Sequence, residues 1–254
     1  MINPEEKQKF EKICLAMQNA ESGTLGIGTL GEKTLHRALK TYLCPDSDYH
    51  EVGIGPFVAD ALVNNTLYEI QSAGLFPLKK KLAYYLENTD KHVQIVCPVL
   101  TAKRLIWVDP ESGSLSEPRK SPVGHGKMRV LPEMIYVLEH LDFTRVSFLI
   151  VGLAADDYKL LDGKGADKKH GATRLERIPR ELVYLRTLSS RTDIADFFLP
   201  ETLPMEFTSA EFSRHTNLRR RSLSAALKVL LHLGILEIAG RQKKAIYYRK
   251  IKQN

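Results

Sequence analysis

Residues 56–74 read PFVADALVNNTLYEIQSAG: two apolar-rich arms about an Asn64-Asn65 pair, each arm carrying one carboxylate, Asp60 and Glu69. Asn tolerates the positive φ that a two-residue hairpin turn needs, so the pair predicts the turn and sets the register. Val63 then faces Thr66, and Asp60 comes to lie opposite Glu69. Gln71, two residues beyond Glu69, emerges on the same face. Like charges directly opposite each other on paired strands destabilise by roughly 0.2–1 kcal/mol. The plain alternative is a solvated face, where two acids do no harm. Val58, Leu62 and Leu67 share that face, however, and unpaired acids beside apolar neighbours are costly. A hard divalent cation reverses the sign, because Mg²⁺ is commonly held by one or two carboxylates together with water and phosphate oxygens. The hairpin therefore predicts a metal site for Mg²⁺ (or Mn²⁺) on Asp60 and Glu69.

Outward from the hairpin, strands and helices interleave. Residues 5–20 have a helical apolar rhythm, and GEKTLHRALKTYL repeats Leu35, Leu39 and Tyr42 at helical spacing. PLKKKLAYYLE opens on Pro77 and carries an apolar stripe of Leu78, Leu82, Tyr85 and Leu86. HVQIVCPV and KRLIWVD predict two strands, LPEMIYVLEHL a helix, and RVSFLIVGL a buried strand. This order predicts an α/β domain over residues 1–200 with a mixed central sheet flanked by helices. No run approaches the ~20 apolar residues of a membrane span. MINPEEKQKF lacks a secretory apolar stretch, and Cys14, Cys44 and Cys97 are odd in number with no CxxC. Together these predict a cytoplasmic protein with free thiols and no membrane partner.

VAD, eight residues, then YEIQ resembles the PD-(D/E)XK, or restriction-endonuclease-like, nuclease superfamily. In that family an Asp on one strand and an acid-x-Lys on the next hold Mg²⁺ around a scissile phosphate, often joined by a glutamate from the preceding helix. The resemblance assigns Asp60 and Glu69 to the metal, Glu32 to the helical glutamate, and Gln71 to the lysine position. Its topological span is about residues 20–110. Gln71 departs from the family pattern: it can position a water but brings no charge. Lys79, Lys80 and Lys81 on the following helix are candidates to supply the missing cation, with Lys81 nearest the apolar border, although a KKK run is commonly a solvated face. Restriction-type folds commonly pair, so the resemblance also implies a homodimer.

The charge is one-sided. Of the net +7, residues 204–254 hold eleven Lys/Arg against three Asp/Glu, a balance of +8, leaving −1 for all that precedes them. Such an excess points to a polyanion, most often nucleic acid. SAEFSRHTNL and RRSLSAALKVLLHLG predict two helices, and ILEIAG and AIYYRKI two strands joined by RQKK. These are the ingredients of a C-terminal winged helix-turn-helix over 204–254. In the second helix Leu223, Ala226, Leu227, Leu230 and Leu231 form the buried stripe, with Gly234 closing its end. Arg219, Arg220, Arg221, Ser222, Ser224 and Lys228 are then left to meet duplex DNA, and Arg241, Lys243 and Lys244 tip the wing. Upstream, SEPRKSPVGHGKMR, with Arg119, Lys120, Lys127 and Arg129, predicts a phosphate-contacting loop or a flexible basic connector, and KKHGATRLERIPR is similarly basic. GIGTLG at 26–31 lacks the preceding strand of a dinucleotide site, and Glu32 stands where a P-loop needs its lysine.

Two functions fit these residues. One is a metal-dependent endodeoxyribonuclease-like hydrolase that holds DNA with its winged helix, using Asp60, Glu69, Glu32 and Gln71. The alternative is a DNA-binding regulatory or structural protein built on an inactive nuclease fold, for which Gln71 in place of lysine is the best support. A protein-interaction module is a third and remoter fit.

Overall fold

The computed structural model describes residues 2–21, 34–163, 171–243 and 245–251. Helix α1 spans Pro4–Glu21 and α2 Thr34–Leu43; strands β1 (His50–Ile54), β2 (Phe57–Val63) and β3 (Thr66–Ile70) follow. Helix α3 (Leu78–Asn88) leads into β4 (His92–Val108), and a short β5 (Arg119–Ser121) follows. Next come a one-turn α4 (Val130–Glu133), the long strands β6 (Val146–Leu160) and β7 (Thr173–Leu188), and α5 (Arg191–Phe198). The chain ends in β8 (Glu206–Thr208), α6 (Ser209–Thr216), α7 (Arg220–His232), β9 (Leu236–Gln242) and β10 (Ala245–Lys250).

The protein is mixed α/β with a large central sheet flanked by helices. Seven strands run β1-β2-β3-β4-β6-β7, with β5 on β4. The expected hairpin register holds: Val63 pairs Thr66, Leu62 pairs Leu67 and Ala61 pairs Tyr68, with Asn64 at φ 53°. β3 and β4 are parallel, Thr66 on His92 through Ile70 on Val96, as the crossover through α3 requires. β6 is buried from Val146 to Asp157, a near-continuous apolar run of the kind covered on both faces. Pro179 sits within β7, and β7 is the last strand of the path, where a missing N–H costs least.

Three local expectations differ. HVQIVCPV and KRLIWVD are one strand, because β4 continues through Pro98; the β3 ladder has already ended at Ile70–Val96. SEPRKSPVGHGKMR is not all loop, since β5 and a 3₁₀ turn at Gly126–Arg129 lie within it. LPEMIYVLEHL is not one helix but single turns: α4, then 3₁₀ turns at Met134–Tyr136 and Leu138–His140, broken at Val137 with φ −116° and ψ 3°. Short 3₁₀ pieces of this kind appear where neighbouring contacts outweigh regular helix geometry.

Two compact units divide the chain. One contains residues up to His50, Pro98–Gly124 and Val151–Leu185; the other contains Glu51–Cys97, His125–Ile150 and Arg186 onward. In the first, Phe10 meets Tyr42 edge-on at 5.4 Å between ring centres, and α1 packs on α2. In the second, the C-terminal elements form a three-stranded sheet ordered β8-β10-β9. Thr208 and Glu211 make a capping box that starts α6, and Asn217 at φ 58° ends it. α7 closes on Gly234 at φ 64°, with Ile235 N–H donating to Leu230 and Gly234 N–H to Leu231. That is the glycine termination expected from sequence. The buried α7 residues are Ala226, Leu227, Val229 and Leu230, with Leu223 and Leu231 half-buried, so the stripe is rotated slightly toward Val229.

Candidate functional site

Asp60 and Glu69 lie in one unit and on adjacent strands, as expected. Asp60 falls one step past the last paired residue, Ala61, and its Oδ2 accepts the N–H of Ile70 at 2.6 Å. Glu69 is fully buried. Its Oε2 accepts from Lys81 Nζ at 2.7 Å and its Oε1 from the Tyr85 hydroxyl at 3.1 Å. Lys81 and Tyr85 are four residues apart on α3, hence on one helical face. The helix that crosses from β3 to β4 thus covers Glu69 with one cation and one phenol.

Burial pushes the Glu69 carboxyl up to about 7; Lys81 opposes this, and the charge of Asp60 adds to it. Burial also raises the Tyr85 phenol, and Glu69 raises it further, so Tyr85 remains a proton donor. Phe57 stacks edge-on to both Tyr84 and Tyr85, at 5.4 and 6.4 Å, closing the apolar side. Gln71 lies just beyond β3, half-buried, its N–H donating to Val96 at 2.8 Å. Glu32 lies outside the described residues, as does GIGTLG.

Asp60 and Glu69 are the two carboxylates, one from each strand, that could hold a hard divalent cation, and the Lys81 ammonium already occupies Oε2 of Glu69. Among the described residues no group of three or more His, Cys, Asp or Glu side chains is arranged to hold a metal. The metal expectation therefore rests on the Asp60–Glu69 pair alone. In the sequence Lys81 is the candidate nearest the apolar border of the KKK run, and Tyr85 belongs to the apolar stripe itself. The i, i+4 spacing of Lys81 and Tyr85 is the signal that pairs them.

The other unit holds a second charged cluster. Asp156 and Asp157 are buried neighbours on β6. Asp156 takes a two-pronged contact from Arg104, at 2.8 and 2.6 Å, and an ion pair from Arg180 at 2.9 Å. Asp157 takes two bonds from Arg177, at 2.5 and 2.9 Å, with Lys103 at 3.6 Å. Each acid is thus matched by two cations, which marks a network joining β4, β6 and β7 rather than an open site.

The candidate DNA contacts are placed as follows. Arg219 precedes α7 and Arg220 begins it; Arg219, Arg220, Arg221, Ser222, Ser224 and Lys228 are all exposed. Arg241 and Lys243 are exposed at the end of the β9–β10 hairpin, whose turn is shorter than RQKK because β9 runs to Gln242. Lys244 lies outside the described residues. No helix is long and apolar enough to cross a membrane among the described residues.

No solved structure matches the chain. An uncharacterized protein of Treponema pallidum (strain Nichols) is 33% identical over 144 residues, 56% of this chain and 56% of that relative. The chain therefore spans about half the length of the relative it matches. Residues 33–189, which hold Asp60, Glu69, Lys81 and the Asp156–Asp157 network but not the C-terminal elements, match the model of a domain of unknown function (DUF8091), and the protein belongs to that family.

Proposed function

We propose that the protein is a divalent-metal-dependent nuclease of restriction-endonuclease-like build, held on duplex DNA by a C-terminal winged helix. The observation that carries this function is the contact of Lys81 Nζ with Glu69 Oε2 at 2.7 Å. It brings a lysine to the acid whose own strand offers only Gln71. The strand order supports the same fold: β1, β2 and β3 in succession, a crossover through α3, and β4 parallel to β3. Support for the winged helix is the chain order β8, α6, α7, β9, β10 with its sheet order β8-β10-β9, and the exposed arginines at the start of α7.

Asp60 and Glu69 would hold Mg²⁺, which when bound lowers the pKa of water and neutralises phosphate charge. In the reaction a water oxygen bonds to phosphorus and gives up a proton to solvent, the bond from phosphorus to the departing sugar oxygen breaks, and that oxygen takes up a proton from solvent. Lys81 opposes the negative charge that builds on the phosphate oxygens. Tyr85 holds Glu69 through Oε1, and Gln71, at the strand end, would orient water by hydrogen bonding. α7 enters the major groove with Arg219, Arg220 and Arg221, while Arg241 and Lys243 contact backbone phosphates.

A DNA-binding protein without hydrolysis is the second function, favoured by the complete burial of Glu69 and the absence of lysine at position 71. One assay separates the two: purified protein on plasmid and linear duplex with Mg²⁺, Mn²⁺ or EDTA, beside Asp60→Asn. Metal-dependent cleavage and a metal-induced rise in Tm, both lost in Asp60→Asn, are expected for the nuclease. Cleavage that survives in Asp60→Asn places the chemistry elsewhere.

A further inference from the structure

Residues 71–77 connect β3 to α3, and so set where Lys81 stands relative to Glu69 and Gln71. One segment, residues 129–139, holds this connection along its length. Arg129 Nη2 donates to the carbonyls of Ser72 at 2.8 Å and Ala73 at 2.5 Å. One helical turn later Glu133 Oε2 accepts the N–H of Leu75 at 3.1 Å. A Cβ at Gly74 would stand 2.7 Å from that same oxygen, so glycine is what admits the carboxylate to the backbone. Tyr136 then meets Phe76 edge-on at 5.3 Å, and Glu139 pairs with Lys79 at 3.2 Å. The 3₁₀ turn Leu138–His140 packs on α3, while α4 and the turn Met134–Tyr136 pack on α7.

We propose that this segment is a strap that couples DNA docking on α7 to the alignment of Lys81, with Arg129, Glu133 and Tyr136 as positioning residues. The proposal rests on the DNA-cleaving function above. Lys81 Nζ lies 2.7 Å from Glu69 Oε2, so any shift of α3 moves the cation relative to the acid. Docking presses α7 on α4, and tightly packed elements shift together rather than deform. The strap carries the shift to residues 72–76 and α3, and so sets the alignment of the Lys81–Glu69 pair on the bound phosphate. Breaking the interrupted helix into single turns is what allows one segment to face both α7 and α3.

The test is amide exchange over residues 71–81 of the full chain, with and without a duplex oligonucleotide, in wild type, Arg129→Met and Tyr136→Leu. DNA affinity and the split of kcat from KM are measured alongside. Wild type should show a DNA-dependent change in exchange across 71–81. Both variants should keep Kd within about twofold, lose that change, and drop kcat about tenfold at nearly constant KM, within the usual range of coupling between sites. A merely structural role alters baseline exchange but leaves the DNA-dependent difference intact. Tyr136 and Phe76 are exposed, so Tyr136→Leu folds even where Arg129→Met does not. DNA binding with no change in exchange over 71–81, or variants that retain the wild-type change, overturns the coupling alone. A chain that binds no DNA overturns the DNA-cleaving function as well, and the two failures are distinguished by the affinity measurement.

Discussion

Lys81 reaches back from the first turn of α3 to Glu69 at the end of β3, Nζ to Oε2 at 2.7 Å, with the Glu69 side chain 1% exposed and Lys81 19%. A buried carboxylate that loses its cation is left with the desolvation cost and must protonate. Lys81→Met keeps the stem and removes the charge. It should lower stability by roughly 1–3 kcal/mol at pH 8, less at pH 5, and abolish most cleavage. Gln71→Ala should cost less activity, since Gln71 offers one hydrogen bond and no charge. Urea melts and single-turnover rates for the two variants check the ranking; a larger loss in Gln71→Ala would return the central role to the strand residue.

Glu69 also predicts a pH dependence. Its folded-state carboxyl sits at about 7 against an ordinary 4.5, with burial as the main cause. The folded state therefore binds more protons than the unfolded state between those values. Stability falls as pH rises through that window, and the penalty is complete above it. Its full size is of order 3 kcal/mol, from about 1.4 kcal/mol per pH unit. The comparison is metal-free wild type against Glu69→Gln in EDTA, by urea midpoint at pH 5 and pH 8. Wild type should gain on acidification relative to the variant; parallel curves would show that Glu69 titrates normally.

The hairpin was legible because its signals are local. Asn64 takes the positive φ its residue type tolerates, and the apolar alternation fixes register once the turn is set. The same holds for α7, where the leucine spacing and Gly234 mark the buried face and the end. What sequence did not reveal depends on contacts distant in the chain. Val137 interrupts LPEMIYVLEHL where the flanking turns pack on α7 and α3, and neither contact is encoded in the segment's own periodicity. The TRLERIPRELVYLRTL strand carries a proline and many charges, which hide its strand pattern; its Arg177 and Arg180 are matched by Asp157 and Asp156 from β6. In the candidate site, the acids and the place of Lys81 nearest the apolar border are visible as a pattern, whereas the contact of Lys81 with Glu69 depends on the direction in which α3 lies on β3.

Asp156 should prove more important to stability than to chemistry. It is 4% exposed and accepts from Arg104 through both oxygens while also facing Arg180. Asp156→Ala leaves two partly buried guanidinium groups without their acid, and should cost about 3–5 kcal/mol. Arg104→Lys replaces a two-pronged fork by a point charge and should cost less, about 1 kcal/mol. Urea unfolding of the full chain measures both. Loss of DNA cleavage in Asp156→Ala at a temperature where the protein stays folded would instead assign the network to function.

The C-terminal elements should bind duplex DNA chiefly through charge. Arg219, Arg220 and Arg221 are exposed at the start of α7, and Arg241 and Lys243 are exposed at the end of the β9–β10 hairpin. Each phosphate neutralised contributes about 0.9 to the slope of log affinity against log salt. Replacing the three arginines with Ala in the full chain should weaken binding ~10- to 100-fold near 100 mM salt and reduce that slope by up to about 3. Arg241→Ala with Lys243→Ala should act in the same direction with a slope change of up to about 2, uniformly across sequences, as backbone contacts do. The arginines nearest the groove should in addition alter preference among duplex sequences, because base-edge contacts carry discrimination that phosphate contacts lack. Fluorescence anisotropy over a salt series, on several duplexes, reads affinity, slope and preference together. Identical slopes in wild type and the triple variant would remove α7 from the interface and leave the basic excess of residues 204–254 to another partner.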